Sequence, residues 1–235
     1  MKKHTWFQLE EHPEVYFGQY IVPNFVSNSV AIRASENQWV LISPGEKLLA
    51  EWTKRWKNPE TKISIIYPNS FHYMGANAWL KVFPDATLYA SQKAKKRLAK
   101  KGFNRILALE SHRPELPEGY DVLIPPGHRG GDVWLSKQGT DHNNLWVTCD
   151  SFLNYERVSN QPIARTLQAI LGAAPGLKIS QVIKWLLLDE KAKFKPWVLN
   201  QLEKDRPSIL IPSHGEVEHD DSLTEKLRAL IMRRL

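Results

Sequence analysis

The feature of this chain that most constrains its fold is an apolar segment followed directly by a polar loop and an amphipathic segment. Residues 62–67 read K-I-S-I-I-Y and predict a buried strand. Residues 68–76 read P-N-S-F-H-Y-M-G-A, after which Ala76, Leu80 and Phe83 lie along one helical stripe. A strand that enters a helix through a polar loop indicates an α/β protein. The rigid end of such a strand can present side chains to a cleft.

Four other apolar segments also adjoin turn-forming or polar residues. Residues 40–45 read V-L-I-S-P-G, and residues 126–135 read P-G-H-R-G-G-D-V-W-L. Residues 145–150 read L-W-V-T-C-D, and residues 209–215 read I-L-I-P-S-H-G. Histidine and aspartate at several of these ends are residue types that bind metal ions. If the strands share one edge of the fold, these side chains can meet in one cleft.

The whole chain alternates predicted strands and helices. The predicted helices cover residues 46–56, 71–82, 163–171, 181–194 and 223–234. Strands with helices on both outer faces predict an α/β fold with four layers, an αββα sandwich. A chain of 235 residues with 42% hydrophobic content can bury one substantial core, so we expect a single domain over residues 1–235.

These segments resemble, in the same order, those of the metallo-β-lactamase superfamily. The first metal-binding loop of that family reads H-x-H-x-D-H-x-G, and here Gly75 falls on the glycine of the motif. His72 takes the place of the aspartate, while Pro68, Ser70 and Tyr73 take the places of three histidines. A loop of the form P-N-x-x-H resembles a poorly characterised branch of the superfamily. The resemblance implies the αββα fold with a degenerate first metal-binding loop.

The resemblance also implies metal-binding roles for four residues. His128 corresponds to a ligand of the first metal, Asp150 to the bridging aspartate and His214 to a ligand of the second metal. His72 replaces an aspartate of the second site, and an imidazole there can still bind a metal. Three imidazoles and one carboxylate suit Zn²⁺, Fe²⁺ or Mn²⁺.

We expect one metal ion in this site rather than two. Pro68 has no side chain that can bind a metal, and Ser70 is a poor zinc ligand. A single ion with an open position could hold a water whose pKa falls toward ~7. The resulting metal-bound hydroxide, at a site that includes Asp150, could attack an ester, thioester, amide or phosphoester. Tyr73 is the candidate catalytic proton donor or oxyanion partner.

Each candidate ligand also has a purely structural explanation. His72 can hydrogen-bond the loop at the start of a helix, and His128 can stabilise the turn that follows Pro126. Asp150 can cap a turn or helix, and His214 can do the same before a glycine. If all four residues bound one tetrahedral ion, the site would be closed and structural rather than catalytic.

Composition narrows the classes of partner. The formal charge of +7 favours anionic ligands, and the densest basic segment, residues 93–101, predicts a helix with Ser91 as its N-cap. That segment has no interleaved aromatic residues, so nucleic acid is less favoured than a small anionic molecule. No segment reaches the ~18–20 apolar residues of a membrane span. A single cysteine, Cys149, excludes an internal disulfide, and we expect a cytoplasmic protein.

Three functions are compatible with these sequence features. The first is a metal-dependent hydrolase of a small molecule with a reduced, mononuclear site. The second is a catalytically inactive binding protein that keeps the fold, and the third is a relative that processes nucleic acid. The missing histidines favour the second over the first, whereas His128, Asp150 and His214 favour the first, since a fully decayed site need not retain them. We adopt the hydrolase as the working hypothesis.

Overall fold

The computed structural model describes residues 4–22, 25–158, 161–181 and 183–235. The strands are β1 (Trp6–Gln8), β2 (Val15–Val22), β3 (Phe25–Arg33), β4 (Gln38–Ile42), β5 (Lys62–Ile66), β6 (Thr87–Ala90), β7 (Ile106–Ala108), β8 (Tyr120–Leu123), β9 (Trp134–Lys137), β10 (Leu145–Val147), β11 (Leu153–Tyr155), β12 (Gly176–Lys178), β13 (Ile209–Ile211) and β14 (Glu218–His219). The α-helices are α1 (Leu49–Trp56), α2 (Ala76–Val82), α3 (Gln92–Ala99), α4 (Pro162–Leu171), α5 (Lys191–Asp205) and α6 (Leu223–Arg234).

The strands form two large sheets and one small one. The larger sheet has the order β1-β2-β3-β4-β5-β6-β7, antiparallel from β1 to β4 and parallel from β4 to β7. The second sheet has the order β14-β13-β10-β9-β8, and only β10 and β13 are parallel in it. Strands β11 and β12 pair with each other in an antiparallel arrangement.

Three apolar layers separate the sheets and helices, which makes the architecture an αββα sandwich and confirms the predicted fold class. One layer lies between the larger sheet and α1–α3, and a second lies between the smaller sheet and α5 and α6. The third layer joins the two sheets face to face. Strand β4 shows how one segment serves two layers, because Trp39 and Leu41 face the helices while Val40 and Ile42 face the other sheet.

Two predicted helices have the wrong boundaries, and in both cases hydrogen bonds explain the difference. The helix expected over residues 71–82 begins only at Ala76, because the side-chain oxygen of Asn69 accepts the backbone N–H groups of Phe71 and His72 at 2.8 and 3.2 Å. This local turn competes with a helix over the same residues.

The helix expected over residues 181–194 is a π-helical turn, Ile183–Leu187, followed by the start of α5. The carbonyl of Leu187 accepts the N–H of Arg129 at 2.6 Å, and the N–H of Asp189 donates to the carbonyl of Gly127 at 2.9 Å. Backbone groups that would continue the helix are therefore used by the loop that contains His128.

A glycine allows the loop after β5 to pack closely against the turn after β4. A β-carbon on Gly75 would lie 2.2 Å from the carbonyl oxygen of Pro44 and 2.9 Å from the backbone nitrogen of Glu46. The backbone of Gly75 is in the ordinary right-handed region, with φ of −75°, so the requirement is steric rather than conformational. This contact positions the neighbouring residue His72 relative to Ser43.

We predict that Gly75→Ala lowers the free energy of unfolding by about 3 kcal/mol, because backbone atoms must move to admit the methyl group. Gly102→Ala is the control, since its φ is +95° but no atom lies within 4 Å of the added carbon. The control should cost about 1–2 kcal/mol from backbone strain alone. Urea denaturation measures both values, and equal losses would contradict the close approach of the two loops.

Candidate metal centre

The loops that follow β4, β5, β10 and β13 meet at one edge of the sandwich. Strands β4 and β5 run parallel, as do β10 and β13, so the carboxyl ends of each pair point the same way. Ser43 follows β4 and His72 lies in the loop after β5, while Asp150 follows β10 and His214 follows β13. Residues from both sheets are thereby brought to one cleft.

Three of the four predicted metal ligands form a compact cluster. The Nε2 atom of His72 lies 3.0 Å from Oδ1 of Asp150, and Nε2 of His214 lies 3.3 Å from the same oxygen. The two imidazole centroids are 5.2 Å apart. Potential ligand atoms of these three residues all lie within 4.8 Å of one another, so the cluster can hold a metal ion with little rearrangement.

Hydrogen bonds on the far side of each imidazole orient its Nε2 atom toward Asp150. Nδ1 of His214 lies 3.0 Å from the carbonyl oxygen of Val26 and 3.2 Å from Oγ of Ser27. A carbonyl only accepts, so Nδ1 of His214 carries the proton and donates it. Nδ1 of His72 lies 3.0 Å from Oγ of Ser43. Outer hydrogen bonds of this kind fix the tautomer of histidines that bind metals.

The cluster is strongly coupled electrostatically. Burial alone would lower the pKa of His72, but the charge of Asp150 and its hydrogen bond more than offset this and raise it. Burial would raise the pKa of Asp150, but the neighbouring His72 and His214 hold it well below its usual range. The carboxylate is therefore ionised near neutral pH, which is the state that a metal ion requires.

Asn69 connects this cluster to a second buried carboxylate. Its amide nitrogen donates to Oδ2 of Asp150 at 2.7 Å and to Oδ1 of Asp132 at 3.1 Å, while its oxygen holds the backbone of the His72 loop. Asn69 is fully buried, so both ends of its carboxamide are committed to these contacts. The residue that shapes the loop thus also positions the central carboxylate.

His128 lies outside the three-residue cluster. Its Nδ1 atom is 3.2 Å from Oδ1 of Asp132, and both side chains are fully buried. Asp132 also accepts from Oγ of Ser151 at 2.7 Å. The imidazole Nε2 of His128 and the hydroxyl of Ser70 are buried without a hydrogen-bond partner among the described residues. These two residues and Pro68 occupy the places at which the resemblance puts the first metal.

The cluster forms the floor of a cleft of about 460 Å³. Tyr73, the predicted proton donor, lines the cleft, and its ring packs edge-on against Phe103 with centroids 5.9 Å apart. A second tyrosine, Tyr20, also lines it, as do Ser43 and Ser27. Burial raises the pKa of Tyr20, against the opposing effect of these two serines.

Four residues of the site were not predicted from the sequence. Asn69 lies inside the P-N-x-x-H loop, and Asp132 follows His128 by four residues. Their closeness in sequence to predicted ligands could have identified both as site residues. Tyr20 and Ser27 lie on or next to β2 and β3, more than a hundred residues from Asp150, and no local pattern marks them. Their role appears only when the two sheets are packed together.

Solved structures of metallo-β-lactamases are similar to this architecture. A metallo-β-lactamase from Hirschia baltica aligns at a TM-score of 0.61 with 17% identity over 98% of each chain. The metallo-β-lactamase FIM-1 from Pseudomonas aeruginosa, in its mono-zinc form, aligns at 0.60 with 16% identity over 97% of this chain and 95% of that one.

The chain has the metallo-β-lactamase fold. A flavodiiron core from Synechocystis shares this fold, with a TM-score of 0.66 and 16% identity over 97% of this chain and 60% of that one. At the sequence level, no protein-family model matches the chain, and no curated protein matches it significantly. Across the described residues, no helix combines the length and apolar character needed to cross a membrane.

We predict that Asn69→Ala destabilises the metal-free protein by about 2–4 kcal/mol, because two backbone N–H groups lose their acceptor and each of two carboxylates loses one hydrogen bond. Asn37→Ala is the control, since Asn37 is also hydrogen-bonded by its side chain, to Glu60 and Asn58, but at the surface. It should cost less than about 1 kcal/mol. Chemical denaturation measures the free energy of unfolding of both variants. Equal losses in the two variants would argue against a positioning role for Asn69.

Proposed function

We propose that this protein is a metal-dependent hydrolase with one metal ion held by His72, Asp150 and His214. The observation that supports this most is the meeting of two imidazole Nε2 atoms at one carboxylate oxygen, with each imidazole anchored from behind. Catalytic zinc sites have three protein ligands and an open position, whereas structural sites are closed by four. The exclusion of His128 from the cluster therefore favours a catalytic site.

The donor set fits several ions. Two imidazoles and one carboxylate are suitable ligands for Zn²⁺, and for Fe²⁺ or Mn²⁺ as well. When bound, such an ion would supply a Lewis acid and lower the pKa of a coordinated water toward ~7. Pro68 and Ser70 argue for a mononuclear site, because neither offers the imidazole that a first metal would need.

The residues around the cluster suit hydrolysis of a small molecule. Asp150 holds both imidazoles in place, and Asn69 in turn holds Asp150 through its amide. Tyr73 lines the cleft and can donate a hydrogen bond or a proton to an oxygen that gains negative charge. A cleft of about 460 Å³ accommodates a small ester, thioester, amide or phosphoester.

A metal-free binding protein is the second candidate. In the cluster, Asp150 already contacts both histidines, and the raised pKa of His72 favours an imidazolium that pairs with the carboxylate. Such an ion-paired cluster would stabilise the cleft without any metal. The two candidates differ in one measurable property, namely whether the protein takes up a metal at these three residues.

The test is the metal content and zinc affinity of protein purified without a histidine tag. We predict about one equivalent of zinc, which matches a site with a single set of three ligands. His72→Ala, Asp150→Asn and His214→Ala should each weaken zinc binding more than about 100-fold, since removal of a direct ligand should exceed the loss seen for outer-shell partners. Elemental analysis and competition with a chromophoric chelator measure both quantities.

His128→Gln is the matched control, because it removes an imidazole from the same edge of the fold but outside the cluster. This variant should keep its equivalent of zinc in folded protein. Loss of zinc from His128→Gln, but not from His72→Ala, would contradict the proposed ligand set. Wild-type protein that takes up no Zn²⁺, Mn²⁺ or Fe²⁺ would leave the binding protein as the better function.

The role of Tyr73 is tested separately from metal binding. We predict that Tyr73→Phe lowers kcat for para-nitrophenyl acetate or bis(para-nitrophenyl) phosphate about 100-fold while zinc content stays the same. Tyr16→Phe, which changes a tyrosine in the layer beneath α1, should leave kcat unchanged. An unchanged kcat in Tyr73→Phe would exclude it as the proton donor.

A further inference from the structure

The mouth of the cleft combines aromatic rings with cations from a different part of the chain. Phe71 and Tyr73 flank His72 in the sequence, and both line the cleft. The guanidinium carbon of Arg97 lies 5.9 Å from the ring centroid of Phe71, and Nζ of Lys101 lies 5.8 Å from that of Tyr73. The basic segment 93–101 has no aromatic residues, but the fold places the rings of Phe71 and Tyr73 beside it.

These cations are available to a ligand. Neither Arg97, on α3, nor Lys101, just beyond it, forms an ion pair within the part of the chain that the structure describes, whereas Lys93 on α3 pairs with Asp189 at 3.1 Å. Both are exposed side chains. The cleft lining itself includes one cation, Lys47, beside the carboxylate of Glu46.

The cleft mouth also exposes apolar and aromatic surface. Phe71 is 45% exposed and Met74 is 68% exposed, although both are large side chains that normally seek burial. An exposed ring beside cations that form no ion pair with described residues is a combination with which proteins bind nucleotides, because the base stacks on the ring while the cations contact the phosphate. A purely aliphatic anion would not need the rings, and a neutral ligand would not need the cations.

We propose that this cleft binds a nucleotide, with its phosphate at Arg97 and Lys101 and its base against Phe71. The inference rests on the proposed function for what happens to the ligand next. If a nucleoside phosphomonoester were the substrate, the oxygen of one water would bond to phosphorus as the ester P–O bond breaks. One proton of that water would pass to the departing alcohol, and the phosphoryl group would leave as phosphate. Binding itself requires only the cleft mouth, so it can be measured without metal.

A structural role for the cations is the competing explanation. Positive side chains in the last turn of a helix are stabilised by the carbonyl groups at its C-terminus. Lys96 lies in the same last turn as Arg97 and is also exposed, but among the described residues it contacts no aromatic ring of the cleft. Lys96→Ala therefore removes the same charge from the same turn and serves as the matched control.

The experiment measures binding of AMP, adenosine and ribose phosphate to the full chain by calorimetry, in chelator and at fixed salt. We expect AMP to bind with a Kd below about 1 mM and both fragments to bind more weakly. Arg97→Ala and Lys101→Ala should each weaken AMP about tenfold, in keeping with loss of a charged contact. Phe71→Leu should weaken AMP but not ribose phosphate, and Lys96→Ala should change neither.

A short oligothymidylate distinguishes the two sources of this ligand. Tighter binding of the oligomer than of AMP, lost in the same variants, supports the site and assigns it to single-stranded nucleic acid; tighter binding of AMP assigns it to free nucleotides. No binding of either probe overturns the proposal, as does equal weakening by Lys96→Ala and Arg97→Ala. Zinc uptake by the same protein is measured independently, so failure here is distinct from failure of the hydrolase proposal.

Discussion

The carboxylate of Asp150 is the contact on which the architecture of the cleft depends. It follows β10 in the smaller sheet, yet one of its oxygens contacts His72 from the larger sheet and His214 from its own sheet. Its other oxygen accepts from Asn69 at 2.7 Å. This largely buried charge is thus one of the contacts that join the two halves of the sandwich at this edge. A buried carboxylate is tolerated only when it is paired and hydrogen-bonded, and here it is both.

Much of the fold was predictable because buried strands leave a strong signal. Strands β4 and β13 are largely apolar on both faces, since each is covered by the other sheet and by helices. Helix α6 was predicted at Leu223–Arg234 and is found there. The start of α2 was not predictable from periodicity, because Asn69 diverts the first turn by a side-chain hydrogen bond. The helix expected over residues 181–194 failed for a similar reason, since its backbone pairs with a loop some sixty residues away.

The site was predictable only in part, because some of its contacts depend on packing between residues that are far apart in the chain. Strand ends indicated His72, Asp150 and His214, and the fold brings them together. The position of His128 in the chain predicted that it would join them, but its side chain faces Asp132 instead. A pattern of residues along a chain cannot tell which of two carboxylates an imidazole will face. The two carboxylates lie within 4.8 Å of one another and share the amide of Asn69 as a donor, so their order along the chain does not separate them.

The most direct test of the single-site account is a crystal structure of the zinc-loaded protein with anomalous scattering at the zinc edge. We predict one anomalous peak, about 2.0–2.2 Å from Nε2 of His72, Nε2 of His214 and a carboxylate oxygen of Asp150. His128 should remain in contact with Asp132. A second peak, or a single peak bound by His128, would contradict the account, and so would well-ordered electron density for these side chains with no zinc between them.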